Sequence, residues 1–143
     1  MSAILIKLCY NYIRYRKKDS ILSKINVVAT LNGEGTNHVV KTKGILKNHV
    51  LVYSEDQVKV RIQFGDEILL VRENSEYCLT LLFALDQKKE GSYLLKQYSK
   101  MLPIEIKTIL LKCTDNKLDV QYELSLDGIW KRYQFQVEYE VIE

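Results

Sequence analysis

Between Gln57 and Phe64 the chain reads Gln-Val-Lys-Val-Arg-Ile-Gln-Phe, polar and apolar residues alternating without an error. Successive strand side chains point to opposite faces, so Val58, Val60, Ile62 and Phe64 line one side while Lys59 and Arg61 line the other. The same rhythm returns over Leu118–Leu124 and Tyr133–Val141. A β-sheet with one wet and one dry face follows. A one-residue slip would invert every face. The pattern therefore predicts Val58, Val60, Ile62, Phe64, Val120, Tyr122, Phe135 and Val137 buried, with Lys59, Arg61, Gln121 and Gln136 exposed.

Turn signals divide the rest into further strands. Ile25–Leu31 is rich in β-branched residues and precedes the turn cluster Asn32–Asn37. His38–Leu46 and His49–Glu55 flank Lys47-Asn48, a spacing that predicts a two-residue hairpin. Gly65-Asp66 separates Gln57–Phe64 from Glu67–Glu73, and Tyr77–Leu85 follows. Asp86–Gly91 is read as a charged loop before Ser92–Tyr98. Pro103 is expected to open the strand Ile104–Cys113, where its missing N–H does least harm. Asp115-Asn116 and Asp127-Gly128 set off Lys117–Leu126 and Ile129–Ile142.

Nine or ten strands with short connections favour antiparallel neighbours, because parallel pairs need long crossovers. Closing such a meander removes its edges, so the expected fold is an all-β, antiparallel up-and-down β-barrel. A two-layer sandwich has similar strand spacing and is the competing architecture.

The 143 residues are 47% apolar and 27% charged, the composition of a single folded domain rather than a disordered chain. The net charge of +3 is unevenly placed: residues 1–24 carry +5 and residues 25–143 carry −2. The body thus lacks the clustered basic stripe that a nucleic-acid surface needs, and no nucleic acid is expected as a partner. Cys9, Cys78 and Cys113 are sparse and unpaired in spacing, fitting packing residues in a reducing compartment better than a disulfide framework. With His38 and His49 they show no metal-ligand spacing, so neither metal nor cofactor is expected. No apolar run is long enough for a transmembrane segment. The first apolar stretch precedes the basic cluster, the reverse of a signal peptide, which makes the cytoplasm the expected location.

Residues 1–24 form a separate basic, amphipathic extension ahead of a barrel domain at 25–143. Ile4, Leu5, Leu8, Cys9, Tyr12 and Ile13 recur at helical spacing, with Arg16-Lys17-Lys18 behind them. The segment reads as a short helical or irregular piece docked on the domain, as a basic helix on a membrane surface, or as a frayed tail. Docking on a second copy would make the chain a homodimer.

The succession Tyr53-Ser54-Glu55, Ile68-Leu69-Leu70-Val71-Arg72, Phe83, Gly91-Ser92-Tyr93, Thr108 and Tyr122-Glu123-Leu124 resembles the YwiB-like family of uncharacterised bacterial proteins. The resemblance spans roughly residues 25–142 and rests on order and spacing. It implies a calycin-like barrel, similar in architecture to lipocalins and fatty-acid-binding proteins, and supplies no function. Glu73-Asn74-Ser75 replaces the glycine usual after the arginine, so the turn there is expected to differ.

Arg72 shares strand parity with Ile68 and Leu70. An inward guanidinium among apolar groups needs a partner, and Glu55, in parity with Leu51 and Tyr53, is first choice. Such a pair either plugs one barrel end or anchors a ligand carboxylate, the bidentate recognition at which arginine excels. The inward set also holds Phe64, Phe83, Tyr93, Tyr122, Tyr133, Phe135 and Tyr139, enough rings to fill much of a small barrel. Buried tyrosine hydroxyls need partners and would give a lumen a polar patch. Arg72, Glu55, Tyr53, Tyr93, Tyr122 and Thr108 are thus the candidate ligand-binding residues. Trp130 stands off the apolar parity of its strand, at a barrel mouth or on a contact surface.

No catalytic motif emerges. Gly33-Glu34-Gly35 lacks the strand-then-helix context of a phosphate loop, and Asp119 and Glu123 fall on the wet face. Two function classes remain in front: a barrel binding a small amphipathic or anionic ligand, and a protein-interaction or structural domain with a side-chain-filled barrel.

Overall fold

The computed structural model describes residues 22–142. Ten strands follow one another: β1 (Ser23–Gly33), β2 (Thr36–Lys47), β3 (Val50–Glu55), β4 (Val58–Gln63), β5 (Ile68–Glu73), β6 (Tyr77–Phe83), β7 (Lys88–Leu95), β8 (Lys100–Cys113), β9 (Lys117–Leu126) and β10 (Ile129–Val141). Each pairs antiparallel with its sequence neighbours, and β10 pairs with β1 to close the barrel. The meander therefore resolves as a barrel rather than a sandwich. The expected extension at 1–24 lies outside the described residues apart from its last three, of which Ser23 and Lys24 begin β1.

Four connections are two-residue turns. Glu34-Gly35, Asn48-His49 and Asp127-Gly128 have both residues at positive φ, and Asp56 has φ 53° in Asp56-Gln57. Paired positive φ values give the turn whose twist matches that of the strands it joins. The β2–β3 turn falls one residue later than the Lys47-Asn48 read from the sequence, because Lys47 is paired with Val50. The β4–β5 connection is longer than its Gly65-Asp66 signal, running from Phe64 to Glu67.

The dry face is the barrel interior. Val60, Ile62, Phe64, Val120, Tyr122, Phe135 and Val137 are buried as the alternation requires, and Lys59 and Arg61 are exposed. Val58, at the start of β4, is half-buried. Gln121 and Gln136 are half-buried rather than exposed, Gln136 donating to Asp119 on the neighbouring strand.

Three other expectations are corrected in the same region. The charged stretch 86–91 is strand from Lys88 onward, Lys89 pairing with Glu67 at 2.6 Å. The strand read over Ser92–Tyr98 ends at Leu95, where Lys96–Tyr98 makes a 3-10 turn closed by Ser99 at φ 49°. Pro103 lies inside β8, opposite Ser92, ahead of the first β8–β9 pair at Glu105. Among the described residues that stretch of β8 has a single neighbour, so one side of the ladder makes no demand for the missing N–H.

Candidate functional site

Cross-strand register sets the site. Tyr53, Val60, Arg72, Leu79 and Tyr93 stand directly opposite one another across β3 to β7, all on the inward face. Glu55 lies two residues beyond Tyr53 on that face, at the end of β3. Arg72 Nη1 donates to Glu55 Oε1 over 2.8 Å, and the side chains are 20% and 8% exposed. The predicted pair therefore forms. A second partner escaped the sequence reading: His38 Nε2 lies 2.8 Å from Glu55 Oε2. Its signal was present in the parity of β2, where His38 shares a face with the buried Leu46.

Burial alone would raise the Glu55 carboxyl, but the hydrogen bonds from Arg72 and His38 and the charge of Arg72 hold it below the ordinary carboxylate range. Arg72 is desolvated too, yet its bond to Glu55 keeps it more firmly charged than usual. Tyr53 and Tyr122 are pushed up, in both cases chiefly by burial. Both phenols are therefore neutral hydrogen-bonding groups at neutral pH. The Tyr53 hydroxyl is fully buried and has no hydrogen-bond partner among the described residues.

Arg72 also faces a cavity of about 310 Å³ inside the barrel. Its walls are mainly aliphatic, with Leu31, Leu70, Leu81 and Leu124 among them, and Tyr93, Tyr122 and Tyr133 supply rings and hydroxyls. Among the described residues Arg72 gives one hydrogen bond, to Glu55, and is the one charged group on this wall. Tyr122 is packed between Phe83 and Tyr133, with ring centroids 4.8 and 5.7 Å away. Tyr93 packs against Tyr77 at 5.8 Å.

Of the six candidates, Arg72, Tyr93 and Tyr122 line the cavity. Glu55 and Tyr53 stand behind Arg72 and do not. Thr108 is not brought there: its hydroxyl accepts the Ala84 N–H at 3.2 Å, where the end of β6 crosses to β8. Of the described cysteines, Cys78 is a free, half-buried thiol, while Cys113 packs against the core and is disulfide-bonded, so the expectation of unbridged cysteines fails at Cys113. Among the described residues no three His, Cys, Asp or Glu side chains converge on a metal position, and no helix is long and apolar enough to cross a membrane.

Comparison with known proteins agrees with this architecture. No curated protein matches the chain. The crystal structure of the ywiB protein from Bacillus subtilis superposes with a TM-score of 0.59 at 14% identity, covering 85% of this chain and 92% of that one. At that identity the likeness speaks for the fold, and it bears out the YwiB-like resemblance. A family model described as a domain of unknown function, DUF1934, matches residues 23–138, almost the whole barrel from the first residue of β1 into β10, and the chain belongs to that family.

Proposed function

We propose that this barrel binds a small amphipathic ligand, with an anionic group at Arg72 and an apolar body in the cavity. The observation that carries the reading is a guanidinium with unspent donors on the wall of an otherwise uncharged cavity. Volumes of about 300 Å³ and above are typical of ligand pockets, and few well-placed polar groups on apolar walls are their usual chemistry. Glu55 holds Arg72 in place, and the tyrosine hydroxyls offer hydrogen bonds to a carboxylate or its equivalent. No group here is arranged as nucleophile and base, so the reading is one of binding without catalysis.

A second reading is a protein-interaction or structural domain with a filled barrel. The packed series Phe83–Tyr122–Tyr133 favours it, since three rings already occupy much of the interior. Calorimetric titration with octanoate and octanol separates the two. Binding of octanoate in preference to octanol, with the preference lost in the paired substitution R72L/E55L, supports the ligand site. An unchanged preference in that variant removes Arg72 as the anchor, and failure of both compounds to bind leaves the filled barrel.

A further inference from the structure

We propose that the outer face of β7–β10 carries a second site, for a small ligand that joins a flat ring to an anionic group, of the mononucleotide kind. Arg132, Glu123, Lys107 and Lys88 stand opposite one another in a single outward row across four strands. Lys88 and Lys107 are direct cross-strand neighbours, an arrangement of like charges that weakens a sheet unless an anion joins them. The one carboxylate in the row is used by Arg132, at 3.1 Å. Lys88 reaches Glu105 only at 3.9 Å, and Lys107 has no acceptor among the described residues.

Backbone irregularities converge on the same place. β8 bulges at Ile109, Leu85 makes an isolated parallel bridge to Thr108, and Asp86 takes φ 62°. Together they open a surface pocket of about 880 Å³ over the basic row. Bulges and strained residues gather where a sheet is shaped for contact. Trp130 forms one wall and is 40% exposed, with Lys88 Nζ 5.6 Å from its ring centroid. An anion between Lys88 and Lys107 draws the ammonium off the indole and frees that face for a stacked ring. The ligand is small. The next outward row holds Glu90 and Glu105 opposite each other, and Asp86 and Glu123 line the pocket, so a long polyanion would meet repulsion on leaving it.

Trp130 is the chain's single tryptophan, so its fluorescence reports this pocket directly. The full chain is titrated at low ionic strength with adenosine monophosphate, adenosine and inorganic phosphate. Saturable quenching by adenosine monophosphate is expected, at concentrations where neither adenosine nor phosphate saturates. The exposed double substitution K107Q/R132Q should raise the half-saturation concentration about tenfold, the loss of one charge-assisted contact. Adenosine binding equally well would remove the anion row from the site, and phosphate binding equally well would remove the indole. Either result, no quenching at all, or an unchanged midpoint in a folded K107Q/R132Q overturns the proposal.

Discussion

Arg72 on β5 hydrogen-bonds Glu55 on β3 across the intervening strand β4, Nη1 to Oε1 at 2.8 Å. Arg72 is level with Tyr53 through Val60, so Glu55 sits diagonally, two residues further along. The guanidinium must span two inter-strand spacings of about 4.8 Å each. Its aliphatic stem therefore lies along the barrel wall, and its head is fixed at one end by a carboxylate that His38 holds from the other side.

Removing one partner strands the other. Breaking a fully buried ion pair costs about 3–5 kcal/mol; with Arg72 one-fifth exposed, R72A should lose about 2–4 kcal/mol. The paired change R72L/E55L removes both charges and should recover most of the loss. Urea unfolding of the three proteins measures this. A double variant as unstable as R72A would mean that packing by the arginine stem, and not the charge left behind, dominates.

The same pair sets an acid limb of stability. Glu55 is held lower in the folded chain than in the unfolded one, so its contribution is complete above the unfolded value near ~4.3 and is lost as pH falls through the folded value. Glu73, lowered by its bond to Lys96, acts in the same direction. The stability difference between the parent and E55Q should therefore be constant from pH 7 to about 5 and shrink below about pH 4. A difference that stays fixed down to pH 3 would exclude Glu55 as a source of the acid limb.

Tyr53 makes an opposite prediction. Its ring is well packed, but the hydroxyl is buried without a partner, and a buried unsatisfied donor costs about 1–3 kcal/mol. Y53F removes the hydroxyl and keeps the ring, so it should be neutral or stabilise by about 1 kcal/mol in the same unfolding assay. A loss of stability would show that the hydroxyl is satisfied in solution.

What the sequence revealed divides along local and non-local lines. Alternation is local, and it placed Val60, Ile62, Val120 and Phe135 inside without reference to any neighbour. Parity was enough to join Arg72 to Glu55, because both lie in a run of three strands linked by short connections. His38 is as close to Glu55 as Arg72 is, yet it comes from β2, whose ladder with β3 stops at Gly44 and Tyr53; parity puts His38 on the inward face, but no register pairs it with Glu55. Thr108 was misplaced for a related reason. The end of β6 leaves β7 and crosses to β8, and period-two reasoning cannot see a strand change partners. Lys88-Lys89-Glu90 hid a strand start because three successive charges read as a loop, and the nearest opposite charge, Glu67 against Lys89, is far away in sequence.

That crossing of β6 gives Gly91 a testable role. The β6–β7 ladder ends at Thr80 and Ser92, and Gly91 is the next residue of β7, opposite no residue of β6. The Thr80 carbonyl presses against it: a Cβ at Gly91 would stand 2.2 Å from that oxygen and 2.9 Å from Ile106 Cδ1. The first atom is backbone and cannot rotate away, so G91A must push β6 and β7 apart where their ladder ends. Overpacking of this kind costs about 1–3 kcal/mol, and the upper half of that range is expected here. G35A is the control, since nothing lies within 4 Å of its Cβ position and its cost comes from φ +79° alone, about 1–2 kcal/mol. Hydrogen exchange adds a spatial readout. G91A should raise exchange along Tyr77–Thr80 and Ser92–Leu95, whereas G35A should affect the β1–β2 turn. A G91A variant no less stable than G35A, with β6 and β7 equally protected, would mean that the two strands part without strain and that the glycine is not needed for their approach.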